Sequence, residues 1–225
     1  MIKYCHAFHL CSIEAKDVSR LHLFCVYKIP RNPVFTDFSL IMVEDLCFHL
    51  LDLVQNSVAA GARNISLNVV ESGQRDRLTL EVADDGRGMD RQTLDKVQDP
   101  FFTSKSFKKV GLGIPLLKAT AQLCHGDFRI TSRVGRGTRV RARLQKSHVD
   151  CPPLGNLEET LLSLLVSLDA LNIQFIYRSD KGEFALSSAD IRLQVGDLHF
   201  SHPEIVQFLK AYIHEGLGRV LTPPG

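Results

Sequence analysis

The sequence carries little net charge and lacks several common motifs, and these absences exclude whole classes of function. Lysine and arginine outnumber aspartate and glutamate by only two, 27 against 25, which argues against a nucleic-acid or membrane partner. The six cysteines form no C-x-x-C pair, so we expect reduced thiols in a cytoplasmic protein rather than zinc or disulfides. The opening residues lack the order of a signal peptide, and the apolar stretch 157–177 contains acidic residues that make it a poor membrane span.

The 225 residues divide into segments of different character. Residues 1–41 show no sustained periodicity, and one hypothesis is that translation starts at Met42 and that this segment is not native. Residues 42–147 are strongly patterned and form the predicted core domain. Residues 148–155 include two prolines and a glycine and indicate a linker, and residues 156–225 form a small extension with its own pattern.

The patterned core predicts an α+β fold. Apolar residues at helical spacing predict helices at 43–60, from about residue 90 to residue 100, and at 113–125. Alternating residues predict strands at 64–70, 78–83, 128–133 and 139–144. Because helices and strands do not alternate one for one, helices on one face of a mixed, mostly antiparallel sheet fit better than a doubly wound parallel sheet.

The extension is predicted to be a smaller α+β unit. We expect a helix over 157–171 with Asn156 as its cap, a hairpin from 173–177 and 183–186, and a helix from about residue 203 to residue 216 that opens with a capping box. The last helix has an apolar stripe that must be buried. Packing on the same chain is favoured over a partner surface.

Two polar side chains on the first helix are candidates for metal and phosphate chemistry. Asp52 and Asn56 are four residues apart and therefore share one face. An amide oxygen suits magnesium, and a carboxylate could orient or deprotonate a water molecule. On spacing alone, the solvated edge of an amphipathic helix is the more common explanation of such a pair.

Two glycine-containing segments follow. The first, Asp84-Asp85-Gly86-Arg87-Gly88-Met89, ends a strand, where a carboxylate could accept a hydrogen bond from an exocyclic amine while glycines let the backbone approach a flat ring. A surface turn is the common alternative. The second, Gly111-Leu112-Gly113, precedes a helix whose free amides could bind phosphate. This segment matches neither the P-loop pattern, G-x-x-x-x-G-K-[ST], nor the Rossmann dinucleotide-binding pattern, G-x-G-x-x-G.

Together these segments resemble the ATP-binding motifs of the GHKL superfamily, which includes histidine kinases, gyrase-type topoisomerases, a heat-shock chaperone and mismatch-repair ATPases. The resemblance rests on five motifs in order, which are the segments 52–62, 84–88, 99–105, 111–114 and 135–138. They cover roughly residues 44–144, just under half of the chain. The resemblance implies a Bergerat-type two-layer fold that binds ATP with Mg²⁺.

The resemblance also implies a role for each matching position. Asn56 would coordinate Mg²⁺, Asp84 would bind the adenine amino group, and Thr138 would assist at the base. Asp52 stands at the catalytic position, where hydrolytic members carry a glutamate that is one methylene longer. The remaining implied nucleotide-binding residues shape the base pocket or lie beside the phosphates, and they are Gly86, Gly88, Met89, Lys105, Gly111, Leu112 and Gly113.

The sequence departs from sensor histidine kinases in one respect. No histidine upstream of the core has the adjacent acid and helical surroundings of a phospho-accepting site. Two functions are therefore expected as alternatives. The first is a stand-alone signalling kinase that phosphorylates a separate protein, similar to the anti-sigma-factor serine kinases. The second is a nucleotide-gated binding module with slow or no hydrolysis. Both imply a protein partner, and a homodimer is left open.

Overall fold

A computed structural model of the protein describes residues 45–98 and 113–221. Within these ranges the chain forms six helices and six strands. The helices are α1 (Leu46–Ala59), α2 (Arg91–Lys96), α3 (Gly113–Leu123), α4 (Leu157–Ser167), α5 (Ser188–Val195) and α6 (Pro203–Val220). The strands are β1 (Asn64–Ser72), β2 (Arg77–Asp84), β3 (Asp127–Arg133), β4 (Gly137–Gln145), β5 (Asn172–Ser179) and β6 (Gly182–Ser187).

The six strands form one sheet in the order β3-β4-β2-β1-β5-β6. Four of the five strand pairs are antiparallel, and the pair of β1 with β5 is parallel. The prediction of an α+β fold with a mixed, mostly antiparallel sheet is therefore confirmed. The strands of the extension continue the sheet of the core, because β5 pairs directly with β1.

One face of this sheet is apolar, as the alternation along each strand requires. Ile65, Leu67 and Val69 of β1 are buried and pair with residues on the same face of β2 and β5. Helix α1 packs its own buried stripe, which includes Leu50 and Leu53, over this face. Each such leucine stabilises the fold by about 1.5–3 kcal/mol when fully buried. The opposite face of the sheet is mainly polar, although Val70 and Ile176 also lie on it.

Helix α1 is fixed at its start by a cap and by the segment that follows β4. The Asp45 side chain accepts a hydrogen bond from Phe48 N at 2.9 Å. Leu46 N and Cys47 N donate to the carbonyl oxygens of Pro153 and Leu154, at 2.9 and 3.0 Å. These bonds satisfy amides that have no partner within a helix, so the residues before α4 hold α1 in place.

The extension differs in detail from the prediction. Asn156 caps α4 as expected and accepts from Glu159 N at 3.1 Å. The capping box expected at α6 is wrong, because the N-cap is His202 and makes no side-chain cap hydrogen bond. The stripe of α6 is buried at Ile205, Leu209 and Ile213, while Phe208 and Tyr212 stay exposed. Helix α5 was not predicted.

Candidate functional site

The end of strand β2 directs Asp84 towards the helix layer. Asp84 pairs in register with the buried Ile65 of β1, so both side chains lie on the inner face of the sheet. Ser57 of α1 donates a hydrogen bond to Asp84 Oδ2 at 3.0 Å, and Gly86 N donates to Asp84 Oδ1 at 2.8 Å. The carboxylate is therefore held on two sides. It keeps free lone pairs for a further donor, because an ionised carboxylate offers about four acceptor sites.

The neighbouring Asp85 makes different contacts, with residues at the start of β1. Its carboxylate accepts from Arg63 N and Asn64 N at 2.8 and 2.9 Å and from the Asn64 side chain at 2.6 Å. The backbone hydrogen bond from Asn64 is the largest cause that lowers the pKa of Asp85. Asp85 therefore fixes the turn between α1 and β1, and only the first acid of the pair faces the helix layer.

Glycines are required where the turn after Asp84 passes close to other backbone. A Cβ atom on Gly86 would lie 2.8 Å from the Ala60 side chain. Gly88 has φ +63°, a left-handed conformation that favours glycine, and a Cβ there would lie 2.1 Å from the Arg133 carbonyl oxygen. The turn therefore packs against both the end of α1 and the hairpin of β3 and β4.

A hydroxyl pair connects this turn to the hairpin. Thr138 of β4 pairs in register with Asp84 on one side and with Ser132 of β3 on the other. Ser132 Oγ lies 2.9 Å from Thr138 Oγ1, accepts from Met89 N at 2.8 Å, and is 2.9 Å from the Gly137 carbonyl oxygen. Asp84 and Met89 of one segment and Thr138 of another are thus brought together at one end of the sheet.

Ser132 was missed in the sequence analysis, although a signal for it existed. The inward-facing residues of β3 are Phe128, Ile130 and then Ser132, as their register with β4 requires. A hydroxyl at the last inward position, opposite a threonine across a tight hairpin, breaks an otherwise apolar series. That break indicates a polar contact at the end of the sheet.

Asp52 and Gly113 meet where α1 packs against α3. Gly113 is the first residue of α3 and is buried. A Cβ atom on Gly113 would lie 2.9 Å from both Cβ and Oδ2 of Asp52, so only glycine fits beside this carboxylate. Asp52 is half-buried, and burial raises its pKa. The structure therefore joins the carboxylate of one motif to the helix start of another.

The remaining predicted residues are less informative. Asn56 is exposed on α1, one turn after Asp52. Lys105, Gly111 and Leu112 lie outside the described residues. Within the described ranges no group of three or more His, Cys, Asp or Glu side chains is arranged to hold a metal ion.

His49 lies inside the same pair of helices but away from solvent. It is 1% exposed, and its Nε2 is 3.4 Å from Thr120 Oγ1 of α3. Burial lowers its pKa to about 4, so the ring is neutral at physiological pH. Such a residue serves the packing of α1 against α3.

The chain matches a known family over this region. Residues 43–148 match the family described as histidine kinase-, DNA gyrase B- and HSP90-like ATPases. These residues are therefore a histidine-kinase-like ATPase domain, and the resemblance noted from the motifs is confirmed. The match accounts for α1 to α3 and β1 to β4, the elements that carry every described site residue.

Two relatives illustrate the kinship. The sensor protein kinase FleS of Pseudomonas aeruginosa is 37% identical over 110 residues, which cover 49% of this chain and 27% of that protein. The histidine protein kinase DivJ of Caulobacter vibrioides is 33% identical over 99 residues, which cover 42% of this chain and 17% of that protein. The matched region thus spans about a quarter or less of the length of these relatives.

Among solved structures, the N-terminal domain of a DNA repair protein is similar over 64% of this chain and 52% of that chain, with 17% identity and a TM-score of 0.43. That likeness is too low to inform function. No helix in the described parts of the chain is long and apolar enough to cross a membrane.

Proposed function

We propose that this site binds ATP, with Asp84 accepting a hydrogen bond from the adenine amino group. The observation that carries the proposal is the position of Asp84. Its carboxylate faces inward beside Thr138, is held by Ser57 and Gly86 N, and keeps unused acceptor capacity. Adenine presents an amine donor where guanine presents a carbonyl acceptor. A carboxylate here would therefore select adenine over guanine.

The other base contacts are proposed from the same cluster. The Thr138 hydroxyl, oriented by Ser132 at 2.9 Å, would bind the base directly or through water. Gly86 and Gly88 would let the turn lie close to the ring, and Met89 would pack beside it. These roles agree with the family to which residues 43–148 belong.

The phosphates would lie at the start of α3. Gly113 and the preceding Gly111 and Leu112 would offer backbone amides, since a helix N-terminus favours anions, and Lys105 would pair with a phosphate oxygen. Asn56 would contribute its side-chain oxygen to Mg²⁺, whose charge neutralises and orients the phosphates. Asp52 would hold or accept a proton from a group near the terminal phosphate, and its raised pKa makes it a stronger base when ionised.

We infer further that the protein is a signalling kinase that transfers phosphate to a separate protein. Its support is the kinship with sensor kinases over the ATPase domain. The alternative is a nucleotide-gated module that binds ATP with little turnover. Incubation with γ-labelled ATP and soluble cell proteins separates them. Label on another protein supports the kinase, and released phosphate supports hydrolysis. Tight magnesium-dependent binding with neither supports the module.

The binding proposal is tested by calorimetry on Asp84→Asn. The asparagine amide would direct a donor at the adenine amine in place of an acceptor. We therefore expect ATP affinity to fall about 10- to 100-fold, which corresponds to the 1.5–3 kcal/mol typical of a charged hydrogen bond. The fold should persist, because the amide oxygen can still accept from Gly86 N and the Ser57 hydroxyl can turn to accept.

Asp127→Asn is the matched control, because Asp127 is exposed on the opposite face of the sheet and its loss should leave ATP affinity unchanged. Wild-type protein should also bind GTP at least about tenfold more weakly than ATP. Equal ATP affinity for wild type and Asp84→Asn, or equal affinity for the two nucleotides, would show that Asp84 does not read the base.

A further inference from the structure

The polar face of the sheet, which lies opposite the helix layer, has an uneven distribution of charge. On β1 and β5 this face presents mainly neutral side chains such as Ser66, Asn68 and Gln174. On β4 and β3, which lie beyond the intervening strand β2, it presents five arginines, because alternate residues of a strand point to the same side. We call these residues the arginine face, and they are Arg129, Arg133, Arg139, Arg141 and Arg143.

Among the described residues, two carboxylates form ion pairs with these five arginines. Arg139 Nη1 is 2.6 Å from Glu81 Oε1, and Arg143 Nη1 is 3.4 Å from Asp127 Oδ2. Such surface ion pairs contribute little, typically about 0–1 kcal/mol. These pairs involve Arg139 and Arg143, so that Arg129, Arg133 and Arg141 have no ion pair within the described residues, and the adjacent Arg129 and Arg141 form the positive centre of the face.

Arg129 and Arg141 stand directly opposite each other across β3 and β4. Residues paired in this way have Cβ atoms about 4.5–5.5 Å apart, and like charges there are destabilising. Within the described part of the chain, Arg141 Nε is buried and has no hydrogen-bond partner. A buried donor without a partner is also unfavourable. On its other side Arg141 stands opposite Glu81 of β2, but among the described residues the Glu81 carboxylate forms its ion pair with Arg139. The unpaired Nε of Arg141 and the like charge of Arg129 therefore meet at one place, and an anion bound between the two guanidinium groups would relieve both.

We propose that the arginine face docks an acidic segment of a partner protein, with its carboxylates paired to Arg129 and Arg141. Guanidinium groups match carboxylates through two parallel hydrogen bonds. Five arginines on two adjacent strands form a patch that has Glu81 on β2 at one border and Asp127 at the start of β3 at another. A short acidic peptide can place its carboxylates between these borders, whereas a continuous phosphate backbone would meet them.

The composition of the face also favours protein over nucleic acid. Sequence-tolerant nucleic-acid binding combines a basic groove with aromatic side chains on which bases stack. The described residues that β3 and β4 present on this face include no aromatic side chain. The inference is independent of ATP binding, because the arginine face and the site around Asp84 lie on opposite sides of the sheet.

The test is fluorescence anisotropy with a labelled short peptide of alternating glutamate and serine, added to the full-length protein at low salt. We expect saturable binding that weakens steeply as salt is added. The variant Arg129→Gln/Arg141→Gln should weaken it at least about tenfold, since it removes the two adjacent guanidinium groups that have no ion pair within the described residues. The matched control is Lys210→Gln/Arg219→Gln, which removes the same net charge from exposed positions on α6 and should bind as the wild type does.

Stability provides a second readout. Arg129→Gln/Arg141→Gln removes a like-charge pair but also the positive charge opposite Glu81, so urea unfolding should show a variant within about 1 kcal/mol of the wild type. A loss of peptide binding is then not a loss of fold. Unchanged binding in this variant, or an equal loss in the α6 control, would overturn the proposal. So would tighter binding of a charge-matched single-stranded oligonucleotide, which would make the face a nucleic-acid site.

Discussion

Replacing Ser132 by alanine removes one hydroxyl that joins three parts of the candidate site. Ser132 Oγ accepts from Met89 N at 2.8 Å, contacts Thr138 Oγ1 at 2.9 Å and lies 2.9 Å from the Gly137 carbonyl oxygen. The first bond fixes the turn after Asp84 and the second orients the hydroxyl proposed to assist at adenine. Loss of the first bond should therefore lower the free energy of unfolding, and loss of the second should lower the affinity for ATP.

The magnitude follows from the Met89 amide. Without Ser132 Oγ this half-buried N–H loses its partner, and an unsatisfied donor costs about 1–3 kcal/mol. We expect Ser132→Ala to lower the free energy of unfolding by that amount. Thr138 loses the group that orients it, which is worth about 0.5–1.5 kcal/mol for a neutral hydrogen bond. ATP affinity should accordingly fall about 2- to 10-fold.

Urea unfolding and calorimetry with ATP measure the two effects. Thr131→Val is the control, because it removes the neighbouring hydroxyl from the exposed face while keeping a β-branched side chain, and should change stability by less than about 0.5 kcal/mol. If Ser132→Ala unfolds like Thr131→Val, the bond to Met89 does not stabilise the turn. If stability falls but ATP affinity does not, the proposed role of Thr138 at the base is wrong.

Two further predictions concern helix α1. Asn56→Ala should abolish the difference between the ATP affinity measured with magnesium and that measured with a chelator, whereas Gln55→Ala, at the adjacent exposed position, should keep it. Calorimetry in both buffers measures the two affinities. If the wild type binds ATP equally well in both buffers, Asn56 is not a magnesium ligand. His49 should make the fold sensitive to acid. Because its pKa in the fold is about 4, below the ordinary 6.5, its contribution is complete above pH 6.5 and decreases as the pH falls towards 4. Between pH 7 and pH 5 the loss should be about 2 kcal/mol, and urea unfolding of His49→Gln should show a pH dependence smaller by that amount. Equal pH dependence in variant and wild type would mean that His49 is not buried neutral in solution.

The core and the end of the sheet at which we propose that the base binds were predictable because their signals are local. The alternation of Ile65, Leu67 and Val69 defines the buried face of β1. The short turn between β3 and β4 predicts that these two strands pair as a hairpin. Once that hairpin joins the sheet beside β2, Thr138 must lie near Asp84, because both stand at the same end of paired strands. The order of the motifs along the chain therefore predicted which site residues lie close together, which no single motif could do.

Other features had no comparable local signal. The parallel pairing of β1 with β5 joins Ile65 to Ile173, residues so far apart in the chain that neither segment specifies the other. Ser132 is an intermediate case, because it breaks the apolar series of β3, but a single serine near a turn is ordinary until its partner is known. The roles of Asn56, Lys105, Gly111 and Leu112 depend on phosphate and metal rather than on protein contacts, and they stay predictions.

The position of α1 depends on residues beyond the family match. Leu46 N and Cys47 N donate to Pro153 O and Leu154 O, and a Cβ atom on Gly155 would lie 2.5 Å from Cγ of Asp45, the N-cap residue. Residues 43–148 alone would leave those two amides of α1 without these acceptors and β1 without β5. The helix that carries Asp52 and Asn56 is therefore positioned by the nucleotide domain on one side and by the segment that leads into α4 on the other.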